Sequence, residues 1–300
     1  MSNPAGVGSW LADNWIILAM AGAAVLVAAV MGVFRRRSVV GPGRLDAGEK
    51  VGPLWFAFFF AFCAMQLVPS VYVSIRSAQD PSRATTQIAD REKPLLGAAG
   101  AITAIVVLAI VNELIRPHGL QHLGLTARKL PRGLLSGAIT AIIVLPWMLV
   151  AALLTKLMWD LVGLEHPDAH LLLRVMKDSD PSLRRLIEFS AIALAPISEE
   201  MLFRGHLQTA MLYTLHRARS LVAGDSPALP GSKVRWQAIV ITSLIFALVH
   251  QELWLMPPIF FLSVCLGYVY ERTGSLWPGI LLHSSFNALN VAMFIYQPRH

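Results

Sequence analysis

Apolar residues run through this 300-residue chain in long blocks separated by short polar clusters. A helix needs roughly 20 apolar residues to cross a hydrocarbon core of about 30 Å. Eight blocks approach that length: 15–34, 53–75, 95–115, 134–155, 186–213, 236–253, 257–270 and 276–296. The pattern predicts an all-α fold, a polytopic membrane helix bundle of about eight transmembrane helices. The seventh block is short and contains Pro257 and Pro258, which predicts a tilted, broken or partly re-entrant helix.

Composition supports the membrane assignment. Hydrophobic residues make up 55% and charged residues 14% of the chain, against roughly 25% charged in an ordinary soluble domain, and the mean hydropathy is +0.58. The polar loop 76–94 and the segment 116–133 divide an N-terminal three-helix membrane region, 1–133, from a second membrane bundle, 134–300. The stretch 217–235, with Gly224, Pro227, Pro230 and Gly231, reads as an inter-helix loop. The first block is followed, not preceded, by its arginines, so it reads as an uncleaved span.

Basic residues set the expected orientation. Arg35, Arg36, Arg37, Arg44 and Lys50 follow the first span, placing the N-terminus outside. Arg116, Arg128, Lys129 and Arg132 then fall inside, as do Arg217, Arg219, Lys233 and Arg235. The acids Asp80, Asp90, Asp160, Asp178 and Asp180 accompany the basic residues of the outer loops. The expected location is the plasma (inner) membrane, and the net charge of +7 reads as attraction to anionic cytoplasmic lipid. Membrane lipids are thus expected partners, and no nucleic-acid module is visible. Cys63 and Cys265 both lie in apolar runs, which argues against a disulfide framework or a thiolate metal site.

Three polar patterns interrupt the later apolar blocks: Glu199-Glu200-Met201-Leu202-Phe203-Arg204, Phe246 to His250, and His283 to Asn287. A charge left at the bilayer centre costs on the order of 2.5–3.5 kcal/mol even on the lenient insertion scale, so these residues predict a shared polar cavity. Residues four apart on a helix share a face and neighbours do not. Glu200 therefore pairs with Arg204, while Glu199 points elsewhere and is the candidate catalytic carboxylate. A solvated helix end is the other reading of this pattern. His250 taken singly fits a hydrogen-bonded packing residue. With tilt, however, it meets Glu199 and His283 between the cytoplasmic half and the middle of the membrane. His283 and Asn287 share a face and offer two donors to one oxygen, although Asn287 also suits an interhelical tie. The remaining histidines, His118, His122, His166, His170, His206 and His216, are expected to be solvated. Trp147, Trp159, Trp236, Trp254 and Trp277 are expected at the membrane interfaces.

With these three patterns in order, the chain resembles the CPBP membrane proteases, the type II CaaX prenyl endopeptidase or bacteriocin-processing group. APISEEMLFRG at 195–205 resembles the EExxxR motif, FALVH at 246–250 the FxxxH motif, and TGSLWPGILLHSSFN at 273–287 the HxxxN motif with its lead-in. GLTARKL at 124–130 is also similar, so the likeness spans roughly 120–296. The resemblance implies endoproteolysis near the C-terminus of a membrane-associated peptide or lipidated protein, within a catalytic bundle over 134–300 whose site opens to the cytoplasmic side. It implies that Glu199 and His250 activate water, that His283 and Asn287 stabilise the oxyanion, and that Glu200 and Arg204, with Phe246 of the second motif, support them. Glu199, His250 and His283 also form a candidate ligand set for Zn2+, but no contiguous H-E-x-x-H helix is present, and the expectation leans to water activation without metal. A non-catalytic scaffold or bacteriocin-immunity factor, and a proton-coupled transporter, are the alternative functions. The transporter would show inverted halves, which the sequence lacks.

Overall fold

Helix after helix follows the apolar blocks, because in hydrocarbon every backbone polar group must be satisfied within its own segment. The computed structural model describes residues 7–30, 51–79, 92–115, 119–164, 171–177, 179–224 and 230–296. Arg35, Arg36, Arg37, Arg44, Lys50, Asp80, Asp90, Arg116, His118, His166, His170, Asp178 and Pro227 lie outside them. No strand occurs among the described residues.

The first three helices are α1 (Val7–Val30), α2 (Gly52–Gln79) and α3 (Lys93–Ile115). A short turn, α4 (Gly119–His122), and a 3-10 turn lead into α5 (Leu130–Val162). At 33 residues α5 outruns the 134–155 block; its rise of about 50 Å exceeds a bilayer core. Gly163, in the left-handed conformation at φ 71°, ends it. Two short helices follow, α6 (Leu171–Lys177) and α7 (Pro181–Phe189). From α7 the chain stays helical to Ala223, passing through a π segment at Ser190–Leu194, α8 (Ala195–Glu199), a second π segment at Glu200–Gln208, and α9 (Thr209–Ala223). The last three helices are α10 (Ser232–Val249), α11 (Met256–Thr273) and α12 (Trp277–Ile295).

Among the described residues six helical stretches are both long and apolar enough to cross a membrane: Gly52–Arg76, Lys93–Ile115, Gly119–Val162, Ser232–Val249, Leu253–Thr273 and Trp277–Ile295. Eight was therefore an approximate count. The 186–213 block lies inside the helix, but Glu199, Glu200 and Arg204 lower its hydropathy. Within α1 the apolar stretch found among the described residues is shorter, Asn14–Leu26. The seventh block forms an unbroken 18-residue helix. Pro257 and Pro258 sit in its first turn, where a missing N–H breaks no helical bond.

The packing joins early helices to late ones. One apolar cluster unites Phe58 and Ala61 of α2, Leu108 and Val111 of α3, Leu202, Phe203 and Leu207 of the second π segment, and Phe246 of α10. Trp55 Nε1 donates to Thr214 Oγ1 at 3.1 Å, tying α2 to α9. The turn before α12 is fastened to the segment before α5: Leu276 N donates to Leu123 O at 3.1 Å, and Ser275 Oγ donates to Gly124 O at 2.8 Å. Gly124 has φ 71°, and a Cβ there would collide with Gly274 and Ser275. Gly133 and Gly137 form a small-xxx-small stripe on α5, the kind that lets membrane helices approach closely. A Cβ at Gly137 would fall 2.9 Å from Leu281 Cβ, and one at Gly133 would strike Trp277.

Candidate active site

The site grows from the helix that passes into π pairing twice. Proline has no N–H and crowds the carbonyl four residues back, so Pro196 is incompatible with an undisturbed α ladder. The turn before it is a π segment, in which Ala195 N–H donates to Ser190 O five residues earlier. Short π segments of this kind are frequent at functional sites.

Glu200 opens the second π segment and faces Arg204, with Nε 3.3 Å from Oε2; both side chains are fully buried. The pair does not meet hydrogen-bond geometry, so this is an ion contact rather than a bidentate pair. Arg204 also donates to Ser263 Oγ at 3.1 Å, and its guanidinium carbon lies 4.7 Å from the centroid of the Phe246 ring, a cation–π stack. Phe246 touches both histidines as well, with ring centroids 4.6 Å from His250 and 6.0 Å from His283.

His250 caps the C-terminus of α10 instead of lying within it; the helix ends at Val249, short of the 236–253 block. The next residue, Gln251, has φ 56° and turns the chain away. His250 Nδ1 is 2.7 Å from Phe246 O, and His283 Nδ1 is 3.3 Å from Glu200 Oε1. A carbonyl and an ionised carboxylate only accept, so these partners assign the Nδ1 proton in both rings. Each Nε2 is left facing Glu199. Glu199 Oε2 lies 4.0 Å from Nε2 of His250 and 3.8 Å from Nε2 of His283. That oxygen is inaccessible to solvent and accepts no hydrogen bond, although the side chain as a whole is one-quarter exposed.

Asn287 sits one turn beyond His283, but its Nδ2 donates to Ala191 O at 2.7 Å. One of its amide protons is therefore engaged with the first π segment. Ser285 donates back to Leu281 O at 2.7 Å within its own helix.

The separations of 3.8 and 4.0 Å are wider than the edge, about 3.3 Å, of a tetrahedral zinc shell with bonds of about 2.0 Å. Among the described residues no group of three or more His, Cys, Asp or Glu has the geometry to hold a metal ion. The arrangement of Glu199, His250 and His283 as it stands does not fit the Zn2+ ligand set that sequence suggested.

His206 corrects an expectation. It is buried, not solvated, with Nδ1 2.8 Å from Met201 O; the helix does not end near it, and the π segment supplies that carbonyl five residues back. His122 is exposed and His216 half-buried. A second buried polar cluster was also missed. Arg235 pairs with Glu271, and Gln208 donates to the same carboxylate at 3.0 Å. Arg235 is thus a buried partner, which removes it from the basic residues that orient the 217–235 loop. The available signal was a pair of opposite charges, Arg235 and Glu271, one on each of two consecutive apolar helices.

These features define a membrane-spanning helical protein with a glutamate–histidine centre enclosed by its later helices. Residues 182–289 match the family model described as type II CAAX prenyl endopeptidase Rce1-like. That segment, about a third of the chain, is similar to this family and holds all three polar motifs. No curated protein and no solved structure gives a significant match.

Proposed function

We propose that this chain is an intramembrane endopeptidase that hydrolyses a peptide bond near the C-terminus of a membrane-associated substrate, a prenylated CaaX-type peptide or protein being the substrate class. The observation that carries the reading is Glu199 Oε2, a buried oxygen without a hydrogen-bond partner, aimed at the Nε2 atoms of two histidines. Gaps of 3.8 and 4.0 Å are too long for direct hydrogen bonds and too short to hold a water in line, so the reacting water belongs beside the groups, on the exposed quarter of the Glu199 side chain.

In this mechanism Glu199 and the unprotonated Nε2 of His250 orient the water, and Glu199 takes its proton as the oxygen attacks the scissile carbonyl carbon. The new C–O bond leaves negative charge on the former carbonyl oxygen. His283 Nε2 is placed to donate to it. Because its Nδ1 proton goes to Glu200, donation from Nε2 requires the doubly protonated ring. Collapse breaks the C–N bond, and the proton held by Glu199 passes to the departing amine. Phe246 and the Glu200–Arg204 pair hold the two histidines and stay chemically silent. No step is routed through a metal.

The lipid chain of such a substrate would arrive through the bilayer, and the net charge of +7 favours an anionic leaflet. The finer localisation we propose is the plasma membrane, with the site serving the cytoplasmic side. The test is cleavage of a farnesylated CaaX peptide by membranes containing the protein, compared with Glu199→Ala and repeated with a strong chelator. Cleavage should vanish in the variant and survive the chelator. No cleavage by folded native protein would overturn the prenyl-substrate reading in favour of a scaffold, and chelator-sensitive cleavage would overturn the metal-free mechanism.

A further inference from the structure

One carbonyl in the first π segment has lost every helical donor. In α pairing Ala191 O would accept from the amide of residue 195, and in π pairing from that of residue 196. Ala195 N–H is committed to Ser190 O, and residue 196 is proline, which has no N–H. Asn287 supplies the missing donor from α12, with Nδ2 2.7 Å from Ala191 O. Since a carbonyl only accepts, the amide nitrogen and not the oxygen must face it.

We propose that Asn287 is a positioning residue for Glu199: it satisfies the carbonyl stranded by Pro196 and so fixes the Glu199-bearing helix against α12. The inference rests on the hydrolase reading above. The same two helices are already joined by the contact of 3.3 Å between Glu200 and His283. A single contact leaves a pivot. A second one, nine residues earlier on one helix and one turn later on the other, stops rotation and sliding together. The distance so fixed is the 3.8 Å between Glu199 Oε2 and His283 Nε2. Misplacement on the scale of 1 Å costs about 10²-fold in rate, so the tie acts on catalysis while its own side chain need not touch the substrate.

A double-mutant cycle tests this on the full chain in detergent, using Asn287→Ala, Pro196→Ala and the pair, with thermal midpoint and cleavage of the farnesylated peptide as readouts. Asn287→Ala is expected to lower the midpoint and to lower kcat with KM little changed. Pro196→Ala provides an amide that can serve Ala191 O. In that background both losses should shrink, the kcat loss at least about threefold. Should the Pro196 variant not fold, Asn287→Leu, close in shape and without a donor, is expected to lower the midpoint as far as Asn287→Ala. An unchanged midpoint in Asn287→Ala and Asn287→Leu, with kcat falling by the same factor of about 10²–10³ in both backgrounds, marks an oxyanion donor and overturns the proposal. If native protein cleaves nothing, the hydrolase reading fails, and the midpoint cycle alone still decides whether the bond to Ala191 holds the helix.

Discussion

His283 Nδ1 and Glu200 Oε1 stand 3.3 Å apart, and the same carboxylate faces Arg204 through its other oxygen. Glu200 therefore joins a buried cation to a candidate catalytic imidazole. Breaking a buried pair from one side leaves an uncompensated charge. Glu200→Gln should destabilise the fold by about 3–5 kcal/mol and should reduce cleavage in the fraction that remains folded. Thermal unfolding in detergent with parallel cleavage assays checks both, and a variant as stable as the native chain would refute the account of the Arg204 pair.

Phe246 carries a guanidinium on its face and a histidine on either side, yet its link to His250 is made by the backbone carbonyl. Phe246→Leu removes the ring and keeps that carbonyl. A loss of about 2 kcal/mol is expected from a desolvated cation–π contact, while the kcat of folded protein falls much less than in Glu199→Ala. Equal kcat losses in the two variants would show that the ring has a part in the chemistry.

Gly279 is where α12 makes room for the Glu200 carboxylate: an added Cβ would lie 3.0 Å from Oε2. The carboxylate is held by Arg204 and His283 and cannot easily retreat. Gly279→Ala should thus cost about 1–3 kcal/mol through overpacking and displace His283 enough to lower kcat. Gly97→Ala in α3, where nothing lies within 4 Å, is the control and should remain within about 0.5 kcal/mol of the native stability. A harmless Gly279→Ala would mean that Glu200 has freedom the packing denies it.

Asp180 caps α7, accepting from the backbone amides of Ser182 at 2.9 Å and Leu183 at 3.1 Å. Those bonds, Leu183 first, hold its carboxyl below the ordinary value of 3.8. A lowered folded value means that the ionised cap stabilises α7 fully above the ordinary value and ceases to do so as pH falls through the depressed one. Hydrogen exchange of residues 182–189 should accelerate on acidification through that window in the native chain. Asp180→Asn, which caps without titrating, should lose this component. Equal acid sensitivity in both proteins would place the titration elsewhere.

The sequence made the spans readable because hydropathy integrates over some twenty residues and forgives local irregularity. Glu199, Glu200 and Arg204 stood out for the converse reason, being charges in hydrocarbon. Backbone pairing was not readable: i→i+5 bonding leaves no mark on hydropathy, so the π segments, the burial of His206 and the engagement of Asn287 with Ala191 were invisible. The Arg235–Glu271 pair was hidden because Arg235 counted with the basic residues of the 217–235 loop and Glu271 drew no notice. Pro257 and Pro258 read as breakers because their first-turn position depends on where α11 begins, which composition does not locate. Gly133 and Gly137 passed unremarked, since a close crossing takes its meaning from the partner helix.

That crossing bears on when the site comes into being during synthesis. Among the described helices α12 is the last to leave the ribosome, and the groove awaiting it is cut by Gly133 and Gly137 in a helix made some 140 residues earlier. Glu199 and His250 belong to segments made earlier, but the imidazole between Glu200 and Glu199 arrives only when α12 closes into that groove. On the proposed mechanism, a chain whose α12 has not yet packed lacks the donor to the oxyanion, so the site comes into being only with that helix.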